Sequence, residues 1–155
     1  MKIKTWQKNV LSAAAIAVGG FILFNAAFLL AAGVINGFNW LLKQLAGNED
    51  FAVNMAYGGY LFVLIILVIS WFVFKSKLPA LAKAIYLPMP LMVVLIFQAT
   101  QLFEYPSWIP VTIGVIIVGL VLLYLYKKKL SWLYYFAALF TGAVALYIAI
   151  AGVEI

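Results

Sequence analysis

Gln98, Gln101, Glu104 and Tyr105 follow one another at three- and four-residue spacing, and Thr100 lies close by. In a helix such spacing puts all four side chains on one face. Two carboxamides, a carboxylate and a phenol on one face can hydrogen-bond a ligand. Inside an apolar segment they are costly unless they point into a bundle or a wet cavity. Asn25, Tyr57 and Tyr147 are further hydrogen-bonding side chains set in apolar runs. Together with Gln98, Gln101 and Glu104 they make a candidate ligand-binding set for a neutral or weakly cationic solute.

Residue types that do harder chemistry are missing. The chain contains no cysteine and no histidine, and all ten of its Lys+Arg residues are lysines. That excludes thiolate and imidazole chemistry, zinc or haem sites built on histidine, and bidentate guanidinium clamps. No cofactor and no metal is expected. An enzyme would have to work with Glu104, Lys43, Glu49 and Asp50, which are carboxylates and an amine of loops and span ends. The expectation is therefore a non-catalytic protein.

The elements that position these residues follow from composition. Of 155 residues, 68% are hydrophobic and 9% charged, far from the balance of a soluble domain of this size. Five apolar stretches, near 9–36, 52–74, 80–103, 107–126 and 131–153, are each long enough to cross a bilayer, which takes about 20 residues of helix. Backbone groups in lipid must bond internally, so each stretch is predicted to be a helix. The expected fold is all-α, with five transmembrane helices in one bundle and residues 1–155 forming a single domain. The first stretch also begins like a signal peptide, but its apolar run exceeds the usual core of about 7–15 residues, so an uncleaved span is expected.

Charge predicts the orientation. Lys2, Lys4 and Lys8, then Lys75, Lys77 and Lys83, then Lys127, Lys128 and Lys129 fall at alternate ends of the spans. Glu49, Asp50, Glu104 and Glu154 fall in the other gaps. Lysine enrichment marks cytoplasmic loops, which predicts a multi-pass protein of the cell membrane with its N-terminus inside and C-terminus outside. Trp6, Trp71 and Trp132 then lie at inner span ends and Trp40 and Trp108 at outer ends, where interfacial tryptophans belong. The net charge of +6 is spread over membrane-flanking segments, which points to the bilayer and its anionic lipids as partners and away from nucleic acid.

Four local readings complete the picture. Phe38, Leu41, Leu42 and Leu45 recur at helical spacing, predicting a short amphipathic helix on the outer surface between spans one and two, anchored by Trp40. Pro88 and Pro90 remove two amide donors from span three and predict a kink or hinge that frees the carbonyls of Ala84 and Tyr86. Ala13, Ala17 and Gly20 in span one, and Ala137, Thr141, Ala145 and Ala149 in span five, form small-residue faces for close helix packing. Phe72–Leu78 and Tyr124–Leu130 share an aromatic-then-lysine pattern, as a duplicated hairpin or any inner interface would.

The polar residues inside the spans crowd away from the lysines. This favours a small integral membrane protein that binds or transports a small solute through an outward-facing polar pocket. The alternative is an accessory or assembly subunit, with a membrane-protein partner or a homo-oligomer formed through the small-residue faces.

Overall fold

The structure, a computed structural model, describes residues 4–46 and 55–151, with side chains over 4–45 and 58–151. Every regular element among them is helical: α1 (Thr5–Ala46), α2 (Met55–Lys75), α3 (Ala80–Tyr86), α4 (Pro88–Gln101), α5 (Trp108–Lys127) and α6 (Trp132–Ala151). With α3 and α4 taken as one span, five helices are long and apolar enough to cross a membrane. This is the architecture of a multi-pass membrane protein. Lys43, Glu49, Asp50 and Tyr57 bracket the α1–α2 connection; Glu49, Asp50 and the Tyr57 side chain lie outside the described residues, as does Glu154.

The third span is the centre of the bundle. α4 touches α1, α2, α5 and α6, and it buries Pro88, Met89, Pro90, Leu91, Met92, Val93 and Leu95. A helix buried on nearly every side must be surrounded by others. α5 by contrast buries only Leu125 and is peripheral. Around α4 the apolar side chains form two clusters. One, at the lysine-bearing end, joins Ile16, Ala84, Leu87, Leu91, Leu125, Tyr134, Ala137 and Ala138. The other joins Ala27, Phe62, Ile66, Met89 and Val93 across α1, α2 and α4.

The double proline divides α3 from α4 but does not unwind the chain. Leu87 stays in the right-handed helical region, at φ −54° and ψ −41°. The ladder continues on either side, from Leu87 N–H to the Lys83 carbonyl at 3.0 Å and from Leu91 N–H to the Leu87 carbonyl at 3.3 Å. Proline is tolerated at the first helical position because its missing donor has no partner there in any case. Tertiary packing explains why it is held so firmly. A Cβ placed on Gly20 of α1 would sit 2.9 Å from the Pro88 ring, and one on Gly19 would sit 2.6 Å from Ile85 Cγ2. The glycine pair is therefore the seat on which α1 crosses the α3–α4 junction, and Gly20 of the first small-residue face packs inside the monomer.

The face on α6 divides. Ala137 and Thr141 are buried, Ala145 packs against the inner cluster, and Ala149 is exposed. The Thr141 hydroxyl donates to its own helix at the Ala137 carbonyl, 2.8 Å away, so it enters the core with its donor satisfied.

The segment expected as a separate amphipathic helix is not separate. Phe38–Leu45 forms the last turns of α1, a single helix of 42 residues. At helical rise that is about 63 Å, roughly twice the hydrocarbon thickness of a bilayer. Nothing local stops the helix: no proline intervenes, and Gly33 and Gly37 weaken a helix by only about 1 kcal/mol each.

The two lysine-flanked turns are built differently, so their shared sequence pattern is local. At the first, Lys83 reaches back to α2 and its ammonium donates to the carbonyls of Phe74 at 2.8 Å and Ser76 at 2.7 Å. These acceptors close a helix C-terminus, where a cation is favoured. At the second, the chain leaves α5 through Lys129 in the left-handed region, at φ 50°. At the start of α6 the Ser131 hydroxyl accepts the Leu133 amide at 3.3 Å, as an N-cap does. The equivalent Ser107 at α5 makes no such bond, being itself in the helical region.

Candidate functional site

A half-open groove of about 240 Å³ runs between α1, α2 and α4. Its walls come from Phe24 and Phe28 of α1, Gly59 and Phe62 of α2, and Val93 and Phe97 of α4. Thr100 supplies the one polar side chain of the lining. Each wall has a local cause. Phe24 and Phe28 are four residues apart on one helical face, and their rings meet edge to face at 5.0 Å. Gly59 lets α2 approach α4 until a Cβ there would lie 2.7 Å from the Phe97 ring. Gly58 likewise admits Ile35 of α1, whose Cγ1 would lie 3.1 Å from a Cβ at that position. The three helices thus touch at glycines and stand apart between them, leaving a slot walled by rings.

The polar residues gather at one end of this slot rather than inside it. Tyr60 packs edge to face on Phe97, with ring centroids 4.9 Å apart, and its hydroxyl donates to Gln101 Oε1 at 3.3 Å. That distance is long for a hydroxyl donor, so the bond is weak and open to exchange. Thr100 turns its hydroxyl back to the Phe97 carbonyl at 2.8 Å. Glu104 is exposed in the turn that follows α4, and it is the only carboxylate side chain among the described residues. The slot is therefore apolar along its length and polar at its mouth.

The candidate ligand set is not assembled as one pocket. Gln98 points the other way, donating through Nε2 to the Pro110 carbonyl of α5 at 3.1 Å, and so fastens α4 to α5. Asn25 is exposed and donates to its own helix at the Phe21 carbonyl, 2.8 Å away. Tyr147 is 70% exposed on α6. Of the five whose side chains are described, Gln101 hydrogen-bonds a residue that borders the slot, and Glu104 follows it in the chain. Pro88 and Pro90 lie buried in the core away from this mouth, and the structure shows no ligand-facing role for their freed carbonyls.

Sequence reasoning passed over Phe24, Phe28, Gly59 and Phe97. A signal existed in the Phe24–Phe28 spacing and in the Gly58–Gly59 pair, since adjacent glycines weaken a helix unless a neighbour needs the space. It was hidden because every residue around them is apolar as well. No protein-family model, no curated protein and no solved structure matches this chain.

Proposed function

We propose that the protein is a non-catalytic membrane component that binds an amphipathic, lipid-like ligand. The chain of the ligand lies in the α1–α2–α4 slot and its polar end rests at Thr100, Gln101, Tyr60 and Glu104. The observation that carries this reading is the slot itself: about 240 Å³, walled by aromatic and aliphatic side chains, with hydrogen-bonding groups at one end only. A fully polar solute would leave its own donors and acceptors unpaired along such walls. An acyl or isoprenoid chain would not.

The same reading places the lysine-bearing end in the cytoplasm, the mouth of the slot and the C-terminus outside, and the protein in the cell membrane. The final turns of α1, with Trp40 exposed and Phe38 and Leu42 half-buried, then rest in the outer interface.

The test is thermal unfolding of the purified protein in detergent with added hexadecanol, a neutral amphiphile that the Glu104 carboxylate does not repel, for the natural chain and for Ala31→Trp, which puts an indole into the slot from its α1 wall. At about one hundred times its Kd a ligand adds about 2.7 kcal/mol, which at this size raises Tm by about 5–10 °C. The natural chain should show that rise and Ala31→Trp should not. An equal rise in both proteins refutes the slot as the site.

One observation favours assembly as a second reading. On the outer half of α1, a Cβ on Gly33 or Gly37 would meet no atom of the described residues within 4 Å beyond the helix's own backbone, and the Asn25 amide is exposed on the same helix. Such a face suits close approach of another transmembrane helix. The chain lacks cysteine, so a single Gly33→Cys variant reads this directly. Disulfide-linked dimers in native membranes support assembly, and exclusively monomeric chain under oxidation refutes self-association there.

A further inference from the structure

We propose that the α5–α6 turn, Lys127–Leu130, is a binding site for anionic phospholipid headgroups. It is separate from the slot and does not depend on it. The turn closes α5 with backbone bonds alone. Lys129 N–H reaches the Tyr126 carbonyl at 3.0 Å and Leu130 N–H reaches the Leu125 carbonyl at 3.2 Å. This is the pattern that ends helices in a left-handed residue, and that residue is usually glycine because a Cβ is disfavoured there. Here the position holds Lys129, at φ 50°, the only non-glycine residue with positive φ among those described. Local conformation therefore argues against lysine at this site, and the backbone amides are already engaged. What the residue contributes is its side chain.

That side chain is exposed, as are those of Lys127 and Lys128. Two other lysines at this end have evident local work. Lys83 closes α2 through two carbonyls, and the Lys75 ammonium sits 4.1 Å from the centre of the Trp71 ring. The triplet faces outward at a defined depth. Tyr124 and Tyr126 just before it and Trp132 just after it are all exposed. Aromatic side chains of that kind settle at the headgroup level, which sets the three ammonium groups beside the lipid phosphates. Among the described residues no carboxylate competes, since the one they include, Glu104, lies at the opposite end of α4. A negative lipid surface attracts each nearby lysine by about 1 kcal/mol, about fivefold in a binding constant.

The experiment compares the full chain in nanodiscs of phosphatidylcholine with nanodiscs that also contain phosphatidylglycerol, reading Tm and, by native mass spectrometry, retained phosphatidylglycerol. The natural protein should gain Tm and retain phosphatidylglycerol, and high salt should erase the gain. K127Q/K128Q/K129Q should lose most of the gain, with retention weakened about a hundredfold, the product of three fivefold steps. K129G separates charge from fold: it should melt higher than the natural chain in neutral lipid, because glycine suits the turn, yet show a smaller phosphatidylglycerol gain. An unchanged gain in the triple variant overturns the proposal. So does a Tm rise with soluble polyglutamate in neutral nanodiscs and none with phosphatidylglycerol, which would assign the turn to an acidic protein.

Discussion

The two ends of α4 make opposite use of the same bundle. At the lysine-bearing end, small residues and prolines are pressed together. Gly20 meets the Pro88 ring, Ala84 and Ala137 are fully buried, and Ile16 fills the space between them. At the other end, the closest contacts are confined to Gly58 and Gly59, and large aromatics flank open space beside them. Phe24, Phe28, Phe62 and Phe97 leave a slot that none of them fills. In lipid there is no hydrophobic gain from bringing two apolar helices together, so close van der Waals contact must hold them. Small residues permit that contact and rings across a gap do not. The tight end holds the fold together, and the loose end is where the proposed ligand would lie.

This contrast can be broken first at its tight end. Gly20→Leu forces a branched side chain into the Pro88 ring, and we expect a loss of about 3 kcal/mol or failure to assemble, measured by SDS titration in mixed micelles. Lys83→Met keeps the stem but strips the two carbonyls of their charged donor. About 1.5–3 kcal/mol is expected for such bonds, toward the lower figure here because Lys83 is only half-buried. The same titration should show a smaller shift than for Gly20→Leu.

At the loose end the effects should be small in stability and specific in binding. Gln98→Leu removes the bond to the Pro110 carbonyl, worth about 0.6 kcal/mol in membrane helices, and should leave the hexadecanol-induced rise in Tm intact. Loss of that rise would return Gln98 to the site and favour a polar pocket. Gln101→Leu should weaken alcohol-headed ligands at the mouth while sparing a long-chain hydrocarbon, read by the same melts. Tyr147→Leu, on an exposed face of α6, should change stability by less than about 0.5 kcal/mol.

Reading depth from the sequence succeeded better than reading direction. The helical spans and the proline pair that divides the third are visible in residue order. The shared face of Gln98 and Gln101 is visible too, yet the two amides serve different neighbours: Gln98 turns to α5 and Gln101 to Tyr60 of α2. Asn25 looks like a pocket residue by depth and lies on the outside of α1. The reason is physical. In water, the buried face of a helix is its apolar face, and periodicity reveals it. In a bilayer the outside is as apolar as the inside, so α2, α5 and α6 carry leucine, valine and isoleucine around most of their circumference, and no stripe marks the core.

The sequence by itself determined that this chain is solvated by lipid, that it forms five long apolar helices, and that its lysines collect at alternate helix ends. Those properties follow from composition and run length, which do not depend on neighbours. Only the tertiary structure decided which face of each helix turns inward. It made Gly20 a seat for Pro88, made Lys83 a clasp on α2, and left an apolar slot where a polar pocket was expected. Each of these outcomes rests on contacts a few ångströms long between residues far apart in the chain, and in a uniformly apolar helix such contacts leave little trace in residue order.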